Sequence, residues 1–241
     1  MARDTDTKLG GPYRGFPETR SSLIDAAARG DATLSRAALD AIITAYWKPA
    51  YKHVRTKWRR SNEEAKDLIQ GFFAAFSGPG GLARFDPARG SFRNYLRTCL
   101  DHHVLKQHEF ATREKRGGAA PTLDFEEAER ELAATPAASP EEVFLREWRR
   151  QMFALALDDL RSHAVSTGRE LQYRVFEQYD LADGDRPRYA DLAREHGIPE
   201  TTVVNYLAWA RRELRRRVVE HLAAVTAGAA ELRSETRALL K

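Results

Sequence analysis

Along this chain apolar residues recur every three or four positions, and runs alternating apolar with polar are nearly absent. A helix turns by about 100° per residue, so this spacing gathers side chains on one face, whereas a strand requires alternation. The pattern predicts an all-α protein. Its clearest element follows Ser61, where Ala65, Leu68, Ile69, Phe72, Phe73 and Phe76 fall at i, i+3, i+4, i+7, i+8 and i+11 and form one stripe. Ser61 and Glu64 have the spacing of a capping box, in which each side chain accepts from the other residue's backbone N–H. A helix is therefore expected over 61–76, with Glu63, Lys66, Asp67 and Gln70 opposite the stripe and "SGPGG" at 77–81 ending it.

Weaker helical patterns precede it near 20–29, 33–47 and 50–60. Residues 1–20, with Gly10, Gly11, Pro12, Gly15 and Pro17, read as a short irregular segment. A long helix is expected from about Ser91 to Lys115, with Phe92, Leu96, Leu100 and Val104 as its buried row. From Gly117 to Glu142 the pattern lapses into Gly, Ala and Pro with seven acidic residues and only Arg130 basic. That composition reads as an acidic linker, placed at 117–140, between a helical domain at 21–116 and a second at 141–217. The second domain is expected to hold helices near 141–164 and 168–180, and 218–241 a helical extension.

Composition narrows the function class. Hydrophobic residues make up 42% and charged residues 31%, and no apolar run approaches the roughly 20 residues of a membrane span. The amino terminus lacks the apolar core of an export signal. Cys99 is the single cysteine, so no intramolecular disulfide forms, which suits a reducing compartment. These features predict a cytoplasmic protein without a membrane span. The net charge of +4 is small for 39 basic residues, so the distribution of charge carries more information than its total.

The stretch "YADLAREHGIPETTVVNYLAWARRELRRR" predicts a helix-turn-helix: a short helix at 188–195, a turn at Gly197, and a second helix from Pro199. In that second helix Val203, Leu207, Ala210 and Leu214 repeat at core spacing, and Thr201, Thr202, Asn205, Ala208, Arg211 and Arg212 lie outward. The first turns of such a helix meet base edges and its later residues meet phosphates. Thr201, Thr202, Asn205 and Tyr206 are the candidate readers, and Arg211, Arg212 and Arg215 the candidate phosphate ligands. Tyr206 and Trp209, at i and i+3, are expected to pack against a neighbouring helix.

Three segments, "EEAKDLIQGFFAAF", "FDPARGSFRNYLR" and "YADLAREHGIPETTV…ARRELR", occur in that order. Together the set resembles bacterial RNA polymerase sigma factors of the extracytoplasmic-function type, and "RGFPETRSSLIDAAARGD" with "KRGGAAPTLDFEEAE" resembles the subgroup with a C-terminal extension. The resemblance implies two helical domains, sigma domains 2 and 4, that bind core RNA polymerase and direct promoter opening. In that family the Asp-Leu-x-Gln helix binds the clamp helices of the polymerase β′ subunit. Asp67, Leu68 and Gln70 match it, with Glu63 on the same surface, and the β flap is the second expected polymerase contact. Gly71 stands where an acidic residue is common; at a cost of about 1 kcal/mol relative to Ala in a helix, it suggests close approach of a partner backbone. The family's next segment opens promoter DNA and captures an unstacked base, which assigns Arg84, Arg89, Ser91, Arg93, Asn94, Arg97 and Lys106 to DNA. Phe92 fits the buried row, and Tyr95 is either a stacker or core. The acidic linker is either an RNA mimic within the polymerase or a plain spacer.

The recognition helix departs from the family. Val204, Tyr206 and Trp209 occupy positions where basic side chains are frequent, so base readout is expected to be sparse. A helix-turn-helix regulator that does not engage polymerase is the alternative, and a partner-binding protein with sigma architecture is a third reading. An anti-sigma factor or a kinase acting on Ser61 are the candidate regulators. No enzyme, cofactor or metal site is expected: Asp101, His102, His103 and His108 lack paired ligand spacing on one helical face, and no phosphate-loop motif occurs.

Overall fold

The computed structural model of the protein describes residues 24, 32–78, 80–111 and 139–240. Among these residues every regular element is helical and no strand occurs, so the chain is all-α as its apolar spacing predicts. In order they are α1 (Ala32–Lys57), α2 (Asn62–Phe76), α3 (Phe92–Ala111), α4 (Pro140–Ser166), α5 (Glu170–Phe176), α6 (Tyr189–His196), α7 (Glu200–Ala224) and α8 (Gly228–Leu239). No described helix is long and apolar enough to cross a membrane. Apart from Ile24, the expected segment 1–20 and helix near 20–29 lie outside the described residues, as does the acidic stretch 117–138.

The expected helices near 33–47 and 50–60 form one helix, α1, which runs through Pro49. Proline removes a backbone donor and usually ends a helix. Here the buried row Ala38, Ile42, Ala45, Tyr46, Ala50 and Val54 continues on both sides of it, and that burial outweighs the lost hydrogen bond.

Contacts divide the chain into two compact units. Of the described residues, one contains those up to Met152 together with Leu222–Thr236; the other contains Phe153–His221 and the residues from Arg237 on. The division falls within α4, at Met152–Phe153, rather than in the acidic segment. The reason is aromatic packing. Phe144 and Trp148 of α4 stack on Tyr46 of α1 with centroids 6.4 and 6.3 Å apart, and Tyr46 meets Phe92 of α3 edge-on at 6.1 Å. The first half of α4 thus completes the core of the N-terminal unit. The last segment, 222–236, belongs to that unit as well. Its Leu222, Val225, Thr226, Glu235 and Thr236 are all buried.

In the second unit α6 ends on Gly197, whose φ of 64° lies in the left-handed region that favours glycine. The N–H groups of Gly197 and Ile198 both reach the Ala193 carbonyl, closing the turn before α7. Val203, Leu207, Ala210 and Leu214 are buried along α7 as the spacing predicts, and the row continues through Val218 and Leu222. α7 therefore takes in the beginning of the expected extension, and the rest of that extension is α8.

Candidate nucleic-acid interface

The surface expected to meet polymerase lies on α2. Ser61 caps the helix: its hydroxyl accepts from the Glu64 N–H at 3.3 Å, and the Glu64 carboxylate accepts from the Ser61 N–H at 3.0 Å. The bond from the Ser61 N–H, with a second from the Ser61 hydroxyl at 2.9 Å, holds the Glu64 carboxyl below its ordinary range. Ala65, Ile69, Phe72, Phe73 and Phe76 turn inward, while Leu68 is half-buried. Glu63 and Asp67 are exposed and Gln70 is half-buried beside them. Glu63 accepts from Lys66 at 2.9 Å, so the outer surface is acidic with one internal counter-charge. Gly71 is half-buried, and a Cβ built there meets His103 of α3 at 3.5 Å, an ordinary contact. Burial holds the His103 imidazole below its usual range.

Next comes the loop and start of α3 assigned to DNA. Gly81 approaches the end of α2 so closely that a Cβ would stand 1.8 Å from the Phe76 carbonyl oxygen, so only glycine fits. Tyr95 is structural: its hydroxyl donates to the Gly81 carbonyl at 2.6 Å, and its ring packs on Phe85 at 5.2 Å and Phe76 at 6.3 Å. Burial, with a hydrogen bond to Cys99, pushes that hydroxyl well above the ordinary phenol range. Phe92 is fully buried, in line with its place in the apolar row. Asp86 caps a short 3₁₀ turn by accepting from the Ala88 N–H at 3.0 Å, and Ser91 accepts from the Asn94 N–H at 3.3 Å. Arg84, Arg89, Asn94 and Lys106 are exposed, and Ser91, Arg93 and Arg97 are half-buried.

Arg93 departs from its expected place. Its guanidinium donates to Glu235 of α8 at 2.7 Å and lies over the Trp148 ring at 4.6 Å from the centroid. The two paired side chains are only 19% and 8% exposed. One residue back, the Phe92 N–H donates to Glu231 at 2.7 Å. Arg93 is therefore engaged within the protein, not presented to solvent. Arg97 stands 3.7 Å from Glu141 in a looser, more exposed pair.

In the helix-turn-helix unit, Thr201 and Asn205 are exposed and Thr202 and Tyr206 half-buried on the first two turns of α7. Val204 is 44% exposed, an apolar side chain on the outward surface. Arg212 is exposed and Arg215 half-buried. Arg211 differs from the expectation of phosphate contact: its Nε and one terminal nitrogen donate to both carboxylate oxygens of Asp180, at 2.8 and 3.1 Å. That bidentate bond is the strong form of the pair, and it ties α7 to the π-helical turn Glu177–Leu181. Trp209 packs against other elements of its unit, 6.4 Å from the His163 ring of α4 and 5.3 Å from the Arg169 guanidinium.

No family model matches the chain, and neither does any curated protein or solved structure.

The structure gathers Glu63, Asp67 and Gln70 on one side of α2, and Arg84, Arg89, Ser91 and Asn94 around one loop and helix start. Among the described residues no cluster of metal-ligating side chains occurs. Asp101, considered as a ligand, instead accepts from His53 Nε2 at 2.9 Å, Lys57 Nζ at 2.7 Å and Trp58 Nε1 at 3.0 Å. Sequence reasoning did not find Asp180, Glu231 or Glu235. A lone acidic residue far along the chain carries no spacing signal for a distant arginine, so nothing in the pattern marks these three.

Proposed function

We propose that this chain is a sigma factor of the extracytoplasmic-function type, which binds core RNA polymerase in the cytoplasm and directs promoter recognition and opening. One observation carries the reading. α2 is a capped helix with an apolar inner stripe and an outer surface on which Glu63 and Asp67 are exposed and Gln70 is half-buried among the described residues. A helix needs no such acidic, amide-bearing surface to fold, and it suits a basic helical partner such as the β′ clamp. The helix-turn-helix of α6 and α7, with Thr201, Thr202, Asn205 and Arg212 outward, supplies a second, DNA-directed surface in the same chain. The order along the chain is that of sigma domains 2 and 4.

The test is binding of the full chain to a fragment carrying the β′ clamp helices. Asp67→Arg combined with Gln70→Ala is expected to weaken binding about ten-fold or more, because it removes charge-assisted hydrogen bonds and adds repulsion. An unchanged affinity in a folded double variant removes the reading. Selective duplex binding with no affinity for the fragment identifies instead a helix-turn-helix regulator that works without polymerase.

A further inference from the structure

The carboxylates of the C-terminal segment sit where the reading above requires DNA. Glu235 holds the Arg93 guanidinium at 2.7 Å, and Glu231 accepts from the Phe92 N–H at 2.7 Å. Glu231 also accepts from the Ala227 N–H at 2.7 Å, so one carboxylate joins the start of α8 to the start of α3. Anchoring is apolar as well as ionic: Leu222, Val225 and Ala227 are buried before α8 begins. Arg93 is held from its other side by the Trp148 ring. Its position thus does not depend on Glu235 alone.

A carboxylate and a phosphate present the same chemistry to a guanidinium: anionic oxygens that accept charge-assisted hydrogen bonds. In the preceding loop and the first turn of α3, Arg84, Arg89 and Asn94 are exposed. Arg93 differs from them in being paired at 2.7 Å with an acid of the C-terminal segment. Burial raises the Glu231 carboxyl above its ordinary range. Closure thus carries an electrostatic cost that an opened segment does not.

We infer that the C-terminal segment, residues 222–236, is an autoinhibitory clasp whose Glu235 occupies Arg93 in place of the backbone of single-stranded promoter DNA. The inference rests on the sigma reading for the identity of the ligand. Binding of single-stranded DNA and docking of the clasp are mutually exclusive at Arg93, so apparent affinity scales with the open fraction. Anything that releases α8 raises DNA affinity without adding a contact elsewhere.

The experiment measures a fluorescein-labelled oligothymidine bound to the full chain by anisotropy over a range of salt. Glu235→Gln keeps the shape of the side chain and removes its charge. It is expected to bind about ten-fold tighter than wild type, with a log–log salt slope steeper by about 0.7, one added phosphate contact on a single strand. Adding Arg93→Ala to that variant returns affinity and slope to wild-type values. A folded E235Q protein that binds like wild type overturns the inference, and so does a gain that survives Arg93→Ala. If E235Q does not fold, hydrogen exchange on the wild-type chain decides. Oligothymidine is expected to speed amide exchange across 228–236, and unchanged exchange at saturating DNA overturns the clasp. Failure of the sigma reading shows separately, as absent binding to the β′ clamp fragment, since α2 carries that contact.

Discussion

Lys52 donates to Glu147 at 2.6 Å where neither side chain meets water, at 0% and 2% exposure. The pair joins α1 to the first half of α4. Arg146 and Arg150 also stand 3.9 and 3.8 Å from the other Glu147 oxygen, so the acid is shared among three cations. Removing Glu147 takes the carboxylate from a fully buried ammonium, whereas removing Lys52 leaves the acid with two cationic neighbours. Glu147→Ala is expected to cost about 3–5 kcal/mol and Lys52→Met distinctly less. Urea unfolding of both variants measures this; equal costs would show that the two arginines contribute nothing.

Arg211 and Arg212 are neighbours with opposite duties. Arg211 is committed to Asp180, so Arg211→Ala is expected to lower the melting temperature. Arg212 is exposed, so Arg212→Ala is expected to leave stability within about 0.5 kcal/mol. It is expected to weaken duplex DNA binding to a similar degree on every sequence, with a salt slope shallower by about 0.9. A sequence-selective loss would make Arg212 a base reader.

Trp209→Ala removes an aromatic platform shared by His163 and Arg169. The ring is only half-buried, so the expected loss is about 1–3 kcal/mol, below that of a full core aromatic. DNA selectivity is expected to persist. Circular dichroism melts with binding to matched and mismatched duplexes separate the two; intact stability with lost selectivity places Trp209 at the DNA.

Asp101 sets an acid limit for the N-terminal unit. Burial works to raise its carboxyl, but the hydrogen bonds from His53, Lys57 and Trp58 outweigh it and hold the group well below the ordinary carboxylate range. A depressed carboxyl in the folded state stabilises fully above the unfolded value of about 3.9 and loses that contribution as pH falls below it. Wild type is therefore expected to be more stable than Asp101→Asn at neutral pH, and the gap to narrow below about pH 4. Urea midpoints measured across that range test it. A gap independent of pH would assign the effect to shape rather than charge.

The helices themselves were legible because burial leaves a period in the sequence. α2 and α7 show this best: the stripe from Ala65 to Phe76 and the row from Val203 to Leu214 each turned inward, with Leu68 the half-buried member. Ser61 was legible as a cap because its partner is three residues away. Pro49 misled, because a breaker signal is local and the burial that overrides it is not. The division within α4 was hidden for the same reason. Val143, Phe144 and Trp148 read as a helix face but do not say which core they enter. Arg93 and Arg211 looked like nucleic-acid ligands because their acids lie 142 and 31 positions away. The acidic surface of α2 needed no distant partner to be seen.

The bond from Phe92 to Glu231 spans 139 positions of chain, which gives it a meaning during synthesis. A ribosome adds about 5–20 residues per second, so Glu231 is joined roughly 7–28 s after Phe92. Throughout that interval the nascent N-terminal unit has α3 without α8 and Arg93 without Glu235. Both bonds to α8 can therefore form only after the rest of the N-terminal unit has been made, and Arg93 waits for its acid through that interval.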